Sequence, residues 1–242
     1  MKFYIGCSGY FYWNWKGKFY PSELKPSQWF DYYSKIFNTV EINSTFYNFP
    51  KEKNLKNWYK KSPDNFVFSV KVHRSITHIK KLVDVKDMLD NFYSSIKNSL
   101  KEKLGAVLFQ LPPSYRYSKE NMERIASVIN QDFINVVEFR DRDWWNDEVY
   151  QFLKEKNITF CSVSAPDLPE DLIKTSSNIY LRFHGKENWY RYRYTDNELI
   201  NWSKKILEKD ADSCFIYFNN DYNAYAPDNA IRLKELIDKY KK

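Results

Sequence analysis

The sequence predicts an α/β protein, a single closed (β/α)8 barrel of the TIM type, on three observations. Eight short β-like stretches recur along the 242 residues, and the gaps between them carry helical periodicity. In the informative stretches apolar and polar residues alternate, with the polar ones gathering at the C-terminal end of the strand. The length is close to that of one such barrel and suffices to bury a large core. No linker, low-complexity tract or internal repeat interrupts the series, so residues 1–242 are read as one domain.

The predicted strands cover residues 3–8, 39–43, 66–73, 104–110, 136–140, 159–164, 179–184 and 214–221. One face collects Val40 and Ile42, Phe68 and Val70, Val107 and Phe109, Val137 and Phe139, Leu181 and Phe183, Ile216 and Phe218. That face belongs under the helices. The other collects Glu41 and Asn43, Lys71 and His73, Gln110, Glu138 and Arg140, Arg182 and His184, Asn219 and Asp221. These polar residues converge at the C-terminal mouth of the barrel, where such folds keep their active sites. A one-residue shift in parity would drive Glu138 and Arg182 under a helix, where unpaired charge is very costly.

Helical patterns fill the intervals 26–37, 53–61, 86–100, 118–130, 147–156, 196–209 and 227–240. Ser118 with Asn121 and Thr195 with Glu198 resemble capping sequences, the latter a capping box. After the sixth strand only a short helix around Glu170–Lys174 is expected. Four loops on the mouth side are rich in aromatics. The first carries Tyr10, Phe11, Tyr12, Trp13, Trp15, Phe19 and Tyr20; the fifth carries Trp144 and Trp145. The seventh carries Trp189, Tyr190, Tyr192 and Tyr194, and the eighth Tyr222 and Tyr225. Such loops can wall a cleft for a planar or sugar-like ligand, or simply bury one another as a packed lid.

Composition narrows the class. Aromatics make up 19% of the chain, which excludes a disordered protein. Basic residues exceed acidic ones by 38 to 31, so anionic ligands are tolerated, although most lysines are scattered over helices as a solvated surface. Cys7, Cys161 and Cys214 are odd in number and lack metal-ligand spacing. They are read as buried thiols on the helix-facing side, in a reducing cytoplasm. Neither a signal-peptide core nor an apolar run of membrane-spanning length is present, so a cytoplasmic protein without a membrane partner is expected.

Ordered blocks then match a known family. Gly6-Cys7-Ser8-Gly9-Tyr10, with Trp15, Gly17, Phe19, Tyr20 and Pro21 following, resembles the opening signature of the YecE-like family, also named domain of unknown function 72. So do Val40 to Tyr47, Lys71-Val72 with Thr77-His78, and Gln110-Leu111-Pro112-Pro113. Glu138-Phe139-Arg140 with Trp144, Tyr180 to Gly185, and Tyr217 to Asp221 resemble its remaining blocks. Cys7 stands where the family commonly has Thr, and Tyr10 where it commonly has Trp. The resemblance runs nearly end to end. It implies a (β/α)8 barrel and names no reaction.

The chemistry must therefore come from the mouth. Glu41 and Glu138, on non-adjacent strands, could serve as acid and base, or be held as ion pairs by Lys71, Arg140 and Arg182. Lys71 could be a base or Schiff-base nucleophile if desolvated; nearby carboxylates would instead keep it charged, as a clamp for an anion, and the clamp is the favoured reading. His184 suits proton transfer, and Arg182 and Arg140 suit a phosphate or carboxylate. Asn43, Gln110, Asn219, Asn220 and Asp221 are placed as orienting groups, and Trp13, Tyr47 and Trp144 as aromatic walls. His73 and His78 are weaker candidates. Three basic side chains oppose a bound cation, and no Gly-rich phosphate loop or dinucleotide fingerprint occurs, so neither a metal nor a cofactor is expected.

The leading expectation is an enzyme using acid–base chemistry on a small anionic, hydroxylated ligand. The second is a nucleic-acid-binding protein or nuclease that stacks bases on the aromatic loops. The third is a non-catalytic binding module on the same scaffold.

Overall fold

The computed structural model describes residues 1–241. Eight strands, β1 (Lys2–Cys7), β2 (Thr39–Ile42), β3 (Val67–Lys71), β4 (Leu104–Gln110), β5 (Ile134–Glu138), β6 (Thr159–Ser164), β7 (Asn178–Phe183) and β8 (Ser213–Phe218), form one all-parallel sheet. Its order, β1-β8-β7-β6-β5-β4-β3-β2, curls β1 back beside β2 and makes the barrel. Around it lie α1 (Trp29–Ile36), α2 (Ser44–Tyr47), α3 (Glu52–Lys61), α4 (Lys86–Leu100), α5 (Lys119–Val128), α6 (Asp147–Glu155), α7 (Asp196–Leu207) and α8 (Tyr225–Tyr240). The expected caps form: Asn121 N donates to Ser118 Oγ at the start of α5, and Thr195 and Glu198 close a capping box on α7.

Strand parity follows the expected pattern. Val40, Ile42, Phe68, Val70, Phe109, Val137, Phe139, Leu181, Phe183, Ile216 and Phe218 join the core between sheet and helices. A separate cluster fills the barrel interior: Ala106, Leu108, Val136, Cys161, Val163, Tyr180, Phe215 and Tyr217. Cys161 therefore belongs inside the barrel and not, as expected, with Cys7 and Cys214 on the helix side.

One crossover lacks a helix, and this explains the misplaced cysteine. The expected turn at Glu170–Lys174 does not form; the chain between β6 and β7 runs irregularly. Pro166 and Pro169 interrupt it, and side chains supply the backbone partners that a helix would have supplied internally. Ile173 N donates to Ser162 Oγ, Phe160 N to Thr175 Oγ1, and Thr175 Oγ1 to Ile158 O. The outer face of β6 is apolar at Phe160 and polar beyond it, where the crossover chain meets Ser162; its serines point outward, and Cys161 and Val163 point in.

The β1/β2 edge is the barrel's exceptional seam. Among the described residues only the Ser8–Glu41 bridge is a strand pairing there. Lower down, the Tyr33 hydroxyl on α1 stands between the strands, accepting from Cys7 N (2.8 Å) and donating to Thr39 O (2.9 Å). Asn38 Nδ2 donates to Phe3 O at 2.9 Å. Side chains close the barrel where the ladder does not.

Candidate active site at the barrel mouth

Alternation places Ser8, Glu41, Lys71, Gln110, Glu138, Tyr180, Arg182 and His184 on the interior side, near the C-terminal ends of their strands. Arg182 is 1% exposed and lies between two carboxylates that solvent does not reach. Its Nη2 donates to Glu41 Oε1 (2.7 Å) and its Nη1 to Glu138 Oε2 (2.5 Å). Glu41 also accepts from Ser8 Oγ (2.7 Å) and Tyr180 Oη (2.5 Å). Each buried acid thus has a cation and further donors, the condition under which buried charge is tolerated.

Glu138 Oε1 faces the second arginine, accepting from Arg140 Nε, with His184 Nε2 at 3.2 Å. Burial alone would raise the Glu138 pKa; Arg140, Arg182 and His184 outweigh it and hold it well below the ordinary carboxylate range. His184 is pushed down to about 3, first by burial and then by Arg140. Asn219 Nδ2 lies 3.2 Å from its Nδ1, and Arg140 Nη2 lies 3.2 Å from its Nε2. His184 is a neutral member of the floor.

Acid sensitivity follows, with a definite sign. Between about 6.5 and about 3 the unfolded chain binds a proton at His184 that the folded protein refuses, so stability falls as pH falls. Glu138, depressed in the fold, adds to the loss below its unfolded value of about 4.3. The slope from His184 alone approaches about 1.4 kcal/mol per pH unit where the difference is full. Urea midpoints measured from pH 7 to pH 4 should fall accordingly, and His184→Gln should flatten the upper part. A flat wild-type profile between pH 6 and pH 5 would contradict the neutral, buried imidazole.

Lys71 stands apart from the ion pairs. Its Nζ donates to Gln110 Oε1 (2.9 Å), lies 4.1 Å from the centre of the Phe46 ring, and has no carboxylate within ion-pair distance. Gln110 is fixed in turn by its Nε2 bond to Leu111 O. Burial foremost, and then Arg182, bring the Lys71 pKa down to about 7, although Glu138 and Glu41 act in the other direction. The clamp reading expected nearby carboxylates to keep the amine charged; here those carboxylates are paired with arginines. His78, on the turn after β3, packs edge-on to the same Phe46 ring at 4.8 Å and donates or accepts through Nδ1 with Thr77 Oγ1. Burial and then Lys71 lower its pKa to about 4. Arg140 reaches the rim, with its guanidinium 4.4 Å from the Trp189 ring centre. Asn43 ends β2 with its Oδ1 unpartnered.

Other expected members lie elsewhere. Trp144 is fully buried and stacks on Phe139 at 4.1 Å, so it belongs to the helix-side core and not to the cleft wall. Asn220 turns away, donating to Tyr192 O and Asn229 Oδ1. Asp221 makes no ion pair among the described residues; its backbone oxygen receives Asn14 Nδ2 and Trp15 Nε1. His73 accepts from Ser75 N. Tyr47 and Trp13 are each 64% exposed on the surface, and Trp13 packs against Trp29. Ser8 and Tyr180 complete the floor without having been expected. Tyr180, two residues before Arg182, was within reach of the same alternation. Trp15, Phe19 and Tyr20 are buried against Trp29 and one another, so the first loop is largely its own packed core.

Among the described residues no three His, Cys, Asp or Glu side chains group as metal ligands. Both acids already hold guanidinium groups.

Comparison with known proteins agrees with this architecture. A family model described as a protein of unknown function, DUF72, matches residues 4–242. The chain belongs to that family. The UPF0759 protein YunF of Bacillus subtilis (strain 168) is 28% identical, over 97% of this chain and 94% of its own length. The UPF0759 protein YecE of Escherichia coli (strain K12) is 30% identical over 34% of this chain and 30% of its own. Among solved structures, the DUF72 family protein TM1631 of Thermotoga maritima superposes with a TM-score of 0.91 at 31% identity. That superposition covers 98% of this chain and all of the other. EF0366 of Enterococcus faecalis V583, at 21% identity, has the same fold, with a TM-score of 0.82 over 98% and 95% of the two chains. The family carries a barrel and no established reaction.

Proposed function

We propose that the mouth binds a small anionic, hydroxylated molecule and performs proton transfer on it, with Arg140 holding the anion and Lys71 moving the proton. The observation that carries this reading is the uneven pairing of charge. Arg182 and Arg140 neutralise Glu41 and Glu138, while Lys71 keeps a single neutral acceptor. The acids are tied and sealed, so the exchangeable proton sits on the amine, at a pKa suited to neutral solution. Gln110 and Asn43 offer polar atoms for hydroxyl groups at the same strand ends.

Calorimetric titration with inorganic phosphate, glycolate and glycerate tests the anion site. Binding of at least one is expected in the millimolar range or tighter. Arg140→Gln should weaken it roughly tenfold, the value of about one charge-assisted hydrogen bond. No binding by folded wild-type protein would overturn the reading.

A second reading draws on the rim. Trp13, Tyr190 and Tyr222 are exposed, and Arg191 lies 5.4 Å over the Tyr222 ring. Their loops touch, through Asn14 to Asp221 and Tyr222 to Tyr190. Exposed rings with interleaved cations suit stacked bases of a single strand. Oligonucleotide anisotropy should then show binding that falls steeply with salt and weakens in Trp13→Ala. Absence of binding at low salt would remove this alternative.

A further inference from the structure

We propose that Lys71 is an imine-forming lysine, whose Nζ condenses with the carbonyl carbon of a small anionic aldehyde or keto acid held by Arg140. The proposal rests on the anion-site reading above and adds a substrate class and a covalent step.

The contrast with the other buried lysine shows what is distinctive. Lys103 Nζ lies over the Tyr59 ring and donates three times, to Tyr59 O, Ser62 O and Ser62 Oγ. Lys71 Nζ likewise lies over an aromatic ring, that of Phe46, but makes one hydrogen bond, to a neutral amide oxygen. A neutral amine in that position keeps one N–H on Gln110 and has its lone pair free for attack. The groups around it are Arg182, Arg140, Glu138, Glu41 and His78; Arg182, Glu138 and Glu41 are tied in the floor, while Arg140 pairs with Glu138 through Nε and carries its guanidinium to Trp189 at the rim. Burial and then the Arg182 guanidinium lower the amine's pKa to about 7, so the uncharged form is populated at neutral pH.

In the step itself, the nitrogen lone pair forms the C–N bond and the carbonyl π pair moves to oxygen. One nitrogen proton passes to that oxygen, giving a carbinolamine. The hydroxyl then departs with the second nitrogen proton as water, leaving C=N. Amine and carbonyl give imine and water, with no oxidant or reductant. His78, sharing the Phe46 ring and neutral at pH 7, is the side chain placed to relay the proton.

Glyoxylate with cyanoborohydride at pH 7, followed by peptide mass spectrometry, tests the proposal on the intact protein. Lys71 should carry the reduced carboxymethyl adduct at least about tenfold faster than the exposed Lys56 and Lys86, whose amines are paired with Glu52 and Asp90. Lys71→Met should lose that adduct and keep the others. Labelling of Lys71 at or below the surface rate overturns the proposal. If glyoxylate binds by calorimetry without reductant and Lys71 stays unmodified, the anion site stands and the imine falls. If neutral formaldehyde labels Lys71 preferentially and glyoxylate neither binds nor labels it, the amine is nucleophilic but the anion reading and the proposed substrate class both fail.

Discussion

Arg182→Met is expected to destabilise the protein by about 3–5 kcal/mol, the usual cost of stripping one partner from a buried ion network. Met approximates the length of the arginine stem, so packing is disturbed little, but Glu41 and Glu138 then remain as buried acids without their shared cation. Ser8 and Tyr180 still serve Glu41, and Arg140 still serves Glu138, so the triple variant Arg182→Met, Glu41→Gln, Glu138→Gln should recover a large part of the loss. Urea unfolding of the three proteins at pH 7 reads the loss and its recovery. A loss under about 1 kcal/mol would show that the carboxylates are satisfied without the arginine.

Gly6→Ala should be nearly as damaging, for a reason that involves no charge. A Cβ at this position would lie 2.4 Å from Thr39 O and 2.7 Å from the Tyr33 hydroxyl. The strands must part, and the hydroxyl that bridges them is displaced. Cys7 N and Thr39 O are then left buried without partners, at about 1–3 kcal/mol each. Tyr33→Phe should cost less, since it removes the bridge without the clash. Gly105→Ala should also cost less, because its nearest obstacle is a Val67 methyl group at 2.5 Å and a side chain can turn. Chemical denaturation of the three variants checks the ranking; equal losses would remove the special status of the β1/β2 seam.

Much of this architecture was legible because a barrel strand has one dry face. Val137 and Phe139 could only sit beneath helices, and the positions of Glu138 and Arg140 followed from period two. The reasoning failed where that premise failed. Strand β6 reads Thr-Phe-Cys-Ser-Val-Ser; past Phe160 its outer side carries two serines met by the crossover chain, and small inward residues alternate with them, so the hydrophobic contrast there is weak. Trp144 follows a mouth residue by a few positions, yet the chain turns outward and stacks it on Phe139. The charged members of the site were readable by type, but their partnership was not. Whether Glu138 would pair with Lys71 or with Arg140 depends on side-chain reach across the mouth, which alternation does not encode.

The Arg182 linkage also bears on how the chain can assemble. Its two carboxylates lie 141 and 44 residues away along the sequence, on β2 and β5. A partial barrel that gathers β5 to β8 supplies only one of them and leaves Glu41 outside with neither arginine nor tyrosine. The same side chains that are satisfied in the closed ring thus penalise a ring missing its first strands. Incomplete sheets with exposed edges are the species from which parallel-stranded proteins aggregate. The buried arginine acts as a completeness requirement, met only when distant segments of the chain have arrived.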